Sequence, residues 1–278
     1  MSSKTDGSAI AAPRTFAYIF CGVDGSRPSR EAARQAAVLA GENAALVYVA
    51  VSWEQGVGAT AVATLSHKHA QDCLRQARDE AQEHGVRTPI LLEEESDDPA
   101  RRLMELVGEH DLLVLGMRGH SRAGGIMVGS AASAALHRSP VPVLVARQPP
   151  EGVDFPSRIL LASDGTALSD AAVGHTAQLA TRFGAHVAII AAGEHEAPAR
   201  RGVAEHAAQI MALTGVEPVV LDEPGPPHRA LAAAARDFEA SLVVTGSRGL
   251  TGVAALKSVS ERIAHAAPCS VLVIRPKP

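Results

Sequence analysis

A glycine-rich segment in the first half of the chain has the spacing of a phosphate-binding loop. Gly116 and Gly119 are followed, after nine intervening residues, by Gly129 and Ser130. The apolar run 112–115 predicts a buried strand before the loop, and residues 131–137 favour a helix after it. Glycine lets a backbone reach positive φ and approach an anion, while the first N–H groups of a helix supply donors. The sequence therefore predicts a site for a phosphate-bearing ligand, with Ser130 at the helix cap.

An aspartate is predicted to face the same loop. Asp24 follows a predicted strand at 17–23. In an open parallel sheet, ligands bind at the carboxyl ends of the strands, where the strand order reverses. If the strands before Asp24 and Gly116 are neighbours, the carboxylate and the loop share one crevice. A carboxylate in that place suits a ribose hydroxyl group, because it accepts two hydrogen bonds.

The same plan occurs twice along the chain. Asp164 repeats Asp24 at an offset of 140, whereas Gly246 and Gly249 repeat the first two loop glycines at an offset of 130. Beyond the loop the offset is 128, as in the pair Leu144 and Leu272. The second loop is therefore two residues shorter, and its helix places Lys257 opposite Gly129 and Ser258 opposite Ser130. A repeat of this length indicates a duplicated domain.

Hydrophobic periodicity predicts alternating strands and helices in each half. The first half has predicted strands at 17–23, 45–51, 88–92, 112–115 and 141–146, with helices at 29–41, 65–83, 99–109 and 131–137. This order favours an α/β fold of two tandem Rossmann-like, doubly wound parallel-sheet domains with five strands each, related by a pseudo-two-fold axis. The predicted boundaries are a disordered tail at 1–14, a first domain at 15–148, a linker at 149–156 and a second domain at 157–278.

Composition and charge argue against several classes of function. The 278 residues are 46% apolar but only 3% aromatic, which suits a core of small aliphatic side chains. A net charge of −4 offers no basic surface for nucleic acid. We expect no membrane span and no secretory signal. Three scattered cysteines without metal-type spacing are typical of reduced thiols, so the predicted compartment is the cytoplasm.

With these motifs in place, the chain resembles the universal stress protein family. The family marker G-x2-G-x9-G-S/T is satisfied by Gly116, Gly119, Gly129 and Ser130. The segment Val-Asp-Gly-Ser at 23–26 and the run Ser-Pro-Val-Pro-Val-Leu-Val at 139–145 are also similar to the family pattern. The resemblance covers nearly the whole chain outside the tail and the linker.

The resemblance implies a ligand and a set of site residues. The ligand would be ATP with Mg²⁺. Asp24 would contact ribose, the backbone at Val49 would recognise adenine, and the four marker residues would surround the phosphates. Ala131 and Ala132, which stand where the family often has hydroxyl side chains, would contribute backbone N–H groups. A weaker second site would be formed by Asp164, Gly246, Gly249, Ser258 and Ser260.

The two sites are predicted to differ in affinity. If the position of Gly129 requires a positive φ, Lys257 at the equivalent position is strained, and the second site binds ATP more weakly. The resemblance also implies an arrangement of the two halves, because dimers of the family pair through their last strands. The last strands here, at 141–146 and 271–274, are therefore predicted to pair with each other within the chain, with homodimerisation of the whole chain left open.

The leading functional hypothesis is a cytoplasmic ATP-binding stress-response regulator that senses nucleotide and signals through its conformation or through protein partners. The sequence reveals no positioned base beside a nucleophile, so at most weak ATP hydrolysis is expected, and no catalytic or metal-binding residue is predicted. Two alternatives remain open: a nucleotide-independent interaction scaffold, and a slow ATPase or phosphotransfer protein.

Overall fold

The structure, a computed structural model, describes residues 15–52, 65–108, 110–117, 129–164, 167–191, 197–223, 225–246 and 259–275. Strands and helices alternate along these residues. The strands are β1 (Tyr18–Gly22), β2 (Ala45–Ser52), β3 (Ile90–Glu95), β4 (Leu112–Gly116), β5 (Val143–Ala146), β6 (Arg158–Ser163), β7 (His186–Ala191), β8 (Val219–Leu221), β9 (Leu242–Gly246) and β10 (Ser270–Ile274).

The helices begin and end close to their predicted positions. They are α1 (Arg27–Ala40), α2 (His67–Glu83), α3 (Pro99–Leu106), α4 (Ser130–Arg138), α5 (Ala167–Phe183), α6 (Ala197–Thr214), α7 (Pro227–Asp237) and α8 (Val259–Ala266). None of the helices in the described ranges is both long and apolar enough to cross a membrane. The largest shift in a strand is at β3, which was predicted at 88–92 and ends three residues later, in a run of glutamates.

All ten strands belong to one sheet. Their order is β3-β2-β1-β4-β5-β10-β9-β6-β7-β8. Neighbouring strands are parallel except at the centre, where β5 and β10 pair antiparallel. Each half is therefore a five-stranded, doubly wound parallel sheet, and the halves join through their last strands, as the sequence predicted.

The helices cover both faces of this sheet. Buried side chains of α1, α2, α5 and α6 share one hydrophobic cluster, and those of α3, α4, α7 and α8 share the other. Alanine is frequent on these buried helix faces, as at Ala32, Ala36 and Ala235. Small side chains let the helices lie close to the strands, which explains the low aromatic content of the core.

Two arginines connect the halves on either side of the central strand pair. Arg147 follows β5 and donates to the carbonyl oxygens of Ala264 and His265 at the end of α8, at 2.9 and 3.0 Å. Arg275, at the equivalent position after β10, donates to the carbonyls of Ala135 and Leu136 at the end of α4. Each guanidinium thus donates to carbonyl groups in the last turn of a helix of the other half; of these, the Ala135 carbonyl also accepts a hydrogen bond from the Ser139 N–H at 2.9 Å.

Candidate functional site

The predicted crevice lies where the strand order of the first half reverses. β1 and β4 are neighbours in the sheet, so Asp24 and Gly116 emerge side by side at their carboxyl ends. Ser29 joins the two residues: its hydroxyl oxygen accepts a hydrogen bond from the Asp24 N–H at 2.9 Å, and its backbone contacts Gly116. The structure therefore brings the predicted carboxylate and the first loop glycine together.

Gly116 is required for close packing and not for a special backbone angle. A Cβ atom at Gly116 would lie 2.6 Å from the carbonyl carbon of Pro28 and 2.8 Å from the backbone nitrogen of Ser29. Such distances are far below van der Waals contact, so only glycine lets the start of α1 lie directly against the end of β4. The φ angle of Gly116 is not in the left-handed region.

A backbone hydrogen bond joins the two ends of the predicted phosphate-binding loop. The Gly129 N–H donates to the Met117 carbonyl at 2.8 Å, so the chain leaves β4 and returns to the start of α4 at nearly the same point. Gly119, the second marker glycine, lies outside the described residues. The described residues therefore show that the two ends of this loop, at Met117 and Gly129, lie next to each other.

The start of α4 differs from the sequence prediction in one respect. Gly129, not Ser130, occupies the cap position, and the exposed Ser130 is the first helical residue. The first internal bond of the helix runs from the Ser133 N–H to the Gly129 carbonyl. The N–H groups of Ser130, Ala131 and Ala132 precede that bond and have no partner within the helix. These backbone donors, rather than a capping hydroxyl, are what the helix start offers an anion.

The backbone angle of Gly129 removes the argument for strain in the second loop. Gly129 has φ −59° and ψ 155°, a conformation open to any L-residue. The predicted positive φ at this position is therefore wrong. The conformation of Gly129 therefore gives no ground to expect backbone strain at Lys257. Lys257 itself lies outside the described residues.

Val49 lies inside the sheet. It belongs to β2, pairs with Gly22 on one side and Leu92 on the other, and is buried. Its carbonyl oxygen already accepts a hydrogen bond from the Val23 N–H at 2.8 Å. An adenine contact at Val49 would have to use the second lone pair of that oxygen.

A cleft of about 150 Å³ opens beside this position, between α1 and α2. Its walls are mainly apolar or small, with polar groups at the edge, and are formed by Val23, Gly25, Ser29, Arg30, Ala33, Cys73, Gln76, Ala77 and Glu80. Ligand pockets usually measure about 300–1,000 Å³, so this cleft could hold only one part of a nucleotide.

The start of α1 places two positive charges beside the crevice. Arg27 and Arg30 lie in the first turn, and the Arg30 guanidinium donates to the Gly25 carbonyl at 2.6 Å beside Asp24. The first turn contains no acidic residue. Arginine at a helix start adds to the partial positive charge of the helix dipole there, an arrangement that favours an anion.

The equivalent region of the second half has the opposite charge. At the offset of 140, Ala167 replaces Arg27 and Asp170 replaces Arg30. Asp164 is also arranged differently from Asp24. Its carboxylate accepts a hydrogen bond from the Ser169 hydroxyl at 2.7 Å, whereas the Asp24 carboxylate accepts one from the Ser26 N–H at 3.0 Å.

The second half also contains a nucleophile and a base that the sequence did not reveal. The Ser163 hydroxyl lies 2.6 Å from Nδ1 of His206, and Nε2 of His206 lies 2.9 Å from an Asp170 carboxylate oxygen. The expectation that no such pair exists is therefore wrong. Ser163 is 0% exposed, so its hydroxyl cannot meet a substrate in this arrangement. The network holds β6, α5 and α6 together.

Some predicted site residues cannot be placed. Gly119, Gly249 and Ser258 lie outside the described residues. Ser260 is the second residue of α8, but its side chain is not described. Gly246 ends β9, which is the strand beside β6. The structure therefore places Asp164 and Gly246 at one edge and leaves the rest of the second site as a prediction.

The serine that links Asp24 to Gly116 was missed by the sequence interpretation, although the signal was present. Ser169 follows Asp164 by the same five residues that separate Ser29 from Asp24. In both halves the serine hydroxyl oxygen accepts a hydrogen bond from the aspartate N–H, at 2.9 Å in the first half and 3.4 Å in the second. The repeat of this serine would have identified it as part of the site.

Comparison with known proteins agrees with this architecture. The model of the universal stress protein family matches residues 16–147 and 156–275, which together are most of the chain. A universal stress protein of Mycolicibacterium smegmatis is 29% identical over 295 residues, covering 93% of this chain and 97% of that protein.

Solved structures show the same fold. A universal stress protein from Archaeoglobus fulgidus has a TM-score of 0.69 and 22% identity, covering 94% of this chain and 97% of its own. A protein of unknown function from Pseudomonas aeruginosa has a TM-score of 0.66 and 15% identity, covering 95% and 94%. At such identities these likenesses concern the fold alone.

Proposed function

Because the chain belongs to the universal stress protein family, we propose that it is a cytoplasmic, ATP-binding stress-response regulator whose nucleotide site lies in the first half. Nucleotide binding would change the conformation of the protein and so alter what it presents to its partners. Mg²⁺ is proposed to enter with the triphosphate, and no protein ligand to the metal is proposed.

The observation that carries this proposal is the junction of Asp24, Ser29 and Gly116. A carboxylate suited to ribose lies at the end of β1, and a closed loop followed by the helix start of α4 lies at the end of β4. The two strands are neighbours at the point where the strand order reverses, which is where open α/β sheets bind their ligands.

The base is proposed to enter the cleft between α1 and α2. Val23 forms one of its walls and donates its N–H to the Val49 carbonyl, so the cleft lies next to the backbone position that the family resemblance assigns to adenine. Ala33 and Ala77 offer small apolar surfaces. Asp24 lies between this cleft and the loop, where a ribose would join base and phosphates.

The first half is proposed to bind the nucleotide more tightly than the second. A difference in charge between the helix starts of the two halves supports this proposal. Arg27 and Arg30 lie at the start of α1, whereas the equivalent helix start of α5 carries Asp170. A carboxylate near a helix start already satisfies the helix dipole and repels a triphosphate. The charge difference between the two helix starts, and not strain at Lys257, is the basis of the proposed difference in affinity.

Equilibrium binding of ATP in the presence of Mg²⁺ tests the proposal. Isothermal titration of the full-length protein should give saturable binding with one strong site per chain. A matched variant, Arg30→Ala, should bind more weakly with a shallower dependence on salt, because it removes a charge from the crevice. Asp170→Ala, at the equivalent position in the second half, should leave the strong site unchanged.

Two results would refute this function. The first is no saturable ATP binding at millimolar nucleotide in a protein that remains folded. The second is an equal affinity for ATP and for adenosine, which would mean that the phosphates make no favourable contact. Either result would favour the alternative of a scaffold that works without nucleotide.

A further inference from the structure

The two edge strands of the sheet are protected to different degrees. β3 and β8 occupy equivalent positions at opposite ends of the strand order. β3 carries three glutamates, Glu93 to Glu95, and Glu94 forms an ion pair with Arg102 at 2.7 Å. Charged side chains on an edge strand discourage another chain from pairing with it. β8, by contrast, consists of Val219, Val220 and Leu221.

Exposed apolar side chains are concentrated beside β8. Of the eight large apolar residues that are exposed in the described part of the chain, five lie between 211 and 220. We call this set the β8 patch; its members are Met211, Leu213, Val216, Val219 and Val220. Val219 and Val220 belong to the strand itself, and the outer backbone edge of β8 pairs with no other strand among the described residues. An exposed apolar cluster of this kind is typical of a protein-interaction site.

The residues that flank β8 in the sequence are acidic. From residue 202 to residue 228 the sequence contains four acidic residues and no lysine or arginine. Glu217 lies two residues before the strand, separated from it by Pro218, and Asp222 and Glu223 immediately follow it. An extended segment lying along β8 would therefore meet negative charge at both of its ends.

We propose that β8 is a docking edge for an extended segment of a partner protein that has apolar side chains in its centre and lysine or arginine on both sides. The segment would add an eleventh strand to the sheet. Backbone hydrogen bonds to β8 would hold it, the β8 patch would contact its apolar side chains, and the acidic residues would select its basic flanks. This site is separate from the nucleotide crevice.

A second copy of this chain fits the edge less well. Antiparallel pairing of two β8 strands around Val220 would bring Glu217 of each copy close to Asp222 and Glu223 of the other. Like charges opposite each other on paired strands are destabilising. The charge pattern therefore favours a basic partner over self-association.

The test uses two synthetic peptides with the same centre of alternating valine and threonine, one flanked by lysines and the other by glutamates. Binding of each fluorescently labelled peptide to the full-length protein is measured by polarisation. The lysine-flanked peptide should bind at least about tenfold more tightly than the glutamate-flanked one, and its binding should weaken as salt is added.

Two exposed residues at opposite edges provide matched variants. Val220 in β8 is 58% exposed and Ile90 in β3 is 57% exposed, so replacement of either by lysine should leave the fold intact. Val220→Lys should weaken binding of the lysine-flanked peptide by at least about tenfold, because it adds a like charge to the edge. Ile90→Lys should leave the affinity unchanged.

Three outcomes would overturn the proposal. Equal affinity for the two peptides would show that the acidic rim selects nothing. An equal effect of the two variants would place binding away from β8. Sedimentation that shows a dimer of the full-length protein, lost in Val220→Lys, would mean that a second copy occupies the edge.

Discussion

Leu144 in β5 lies directly opposite Leu272 in β10, and these two residues are also equivalent positions of the sequence repeat. The flanking pairs are exchanged by the repeat, since Val143 pairs with Val273 and Val145 with Val271, while Val271 is equivalent to Val143 and Val273 to Val145. The pseudo-two-fold axis therefore passes through this leucine pair. The register of the central strands is thus set by the symmetry of the repeat.

Because Arg147 and Arg275 occupy equivalent positions of the repeat, we expect both to contribute to the free energy of unfolding. Replacing either arginine by alanine leaves helix carbonyls without this donor, and a hydrogen bond to a charged group contributes about 1.5–3 kcal/mol. We expect each single variant to lose about 2 kcal/mol of the free energy of unfolding, measured by urea denaturation.

The control for this measurement is Arg78→Ala. Arg78 pairs with the neighbouring Asp79 on the exposed face of α2, and exposed ion pairs of this kind contribute less than about 1 kcal/mol. If Arg275→Ala is no more destabilising than Arg78→Ala, the arginine caps do not hold the two halves together.

Gly116→Ala is expected to damage the site by displacing α1. The added methyl group would meet backbone atoms of Pro28 and Ser29, which cannot move as a flexible side chain does. We expect a loss of about 1–3 kcal/mol in the free energy of unfolding, the usual effect of overpacking, together with weaker ATP binding because Ser29 orients the Asp24 backbone. Urea denaturation and titration calorimetry measure the two effects.

Gly108→Ala provides the comparison, since a Cβ atom there would meet nothing within 4 Å. It should leave both stability and ATP affinity close to those of the unchanged protein. Unchanged stability and affinity in Gly116→Ala would contradict the packing role assigned to this glycine.

Buried thiols predict a loss of stability at alkaline pH. Burial raises the pKa of Cys269 from 9.0 to about 12 and raises the pKa of Cys21 as well. Above pH 9 the unfolded chain releases these protons while the folded protein retains them, so the free energy of unfolding falls as pH rises from 9 towards 12. The slope is about 1.4 kcal/mol per pH unit for each thiol.

Urea denaturation at pH 8, 9, 10 and 10.5 measures this slope. Cys269→Ala should reduce the decline, because one of the three buried thiols is then absent while Cys21 and Cys73, whose pKa values burial also raises, remain. A stability that stays constant to pH 10.5 would mean that the thiols ionise in the folded protein as they do in water.

The Ser163, His206 and Asp170 network is expected to support structure and not hydrolysis. His206→Ala should destabilise the second half by about 1–3 kcal/mol, because it leaves the buried Ser163 hydroxyl without this partner. A fluorophosphonate probe, which labels accessible activated serines, should not label Ser163 in the folded protein. Labelling that Ser163→Ala abolishes would instead identify an active nucleophile and reopen the hydrolase alternative.

The sequence predicted most of the fold because long, periodic segments and a duplicated pattern are robust signals. The pairing of the last strands followed from the repeat together with the family resemblance, whose dimers pair through these strands, and the register of Leu144 and Leu272 agrees with it. The third strand was placed too early because its glutamates do not resemble a strand. They are tolerated in β3 since this strand lies at the edge of the sheet.

The candidate site was less predictable where it depends on packing between distant elements. The role of Gly116 is set by its contact with α1, which a local pattern does not reveal. The contact between Ser163 and His206 joins residues 43 positions apart on different elements. The positive φ expected at Gly129 was inferred from residue type and is wrong. Glycine is also common where a side chain would collide with a neighbouring segment of the backbone, so a glycine alone does not establish a positive φ.

The central claim is that the first half binds an adenine nucleotide through Asp24, and separate ATP titrations of Asp24→Ala and Asp164→Ala test it most directly. Loss of hydrogen bonds from a carboxylate to ribose should weaken binding about 10- to 100-fold in Asp24→Ala. Asp164→Ala should bind ATP within about twofold of the unchanged protein. Circular dichroism confirms that both variants are folded. Equal losses in the two variants, or a loss confined to Asp164→Ala, would contradict the account.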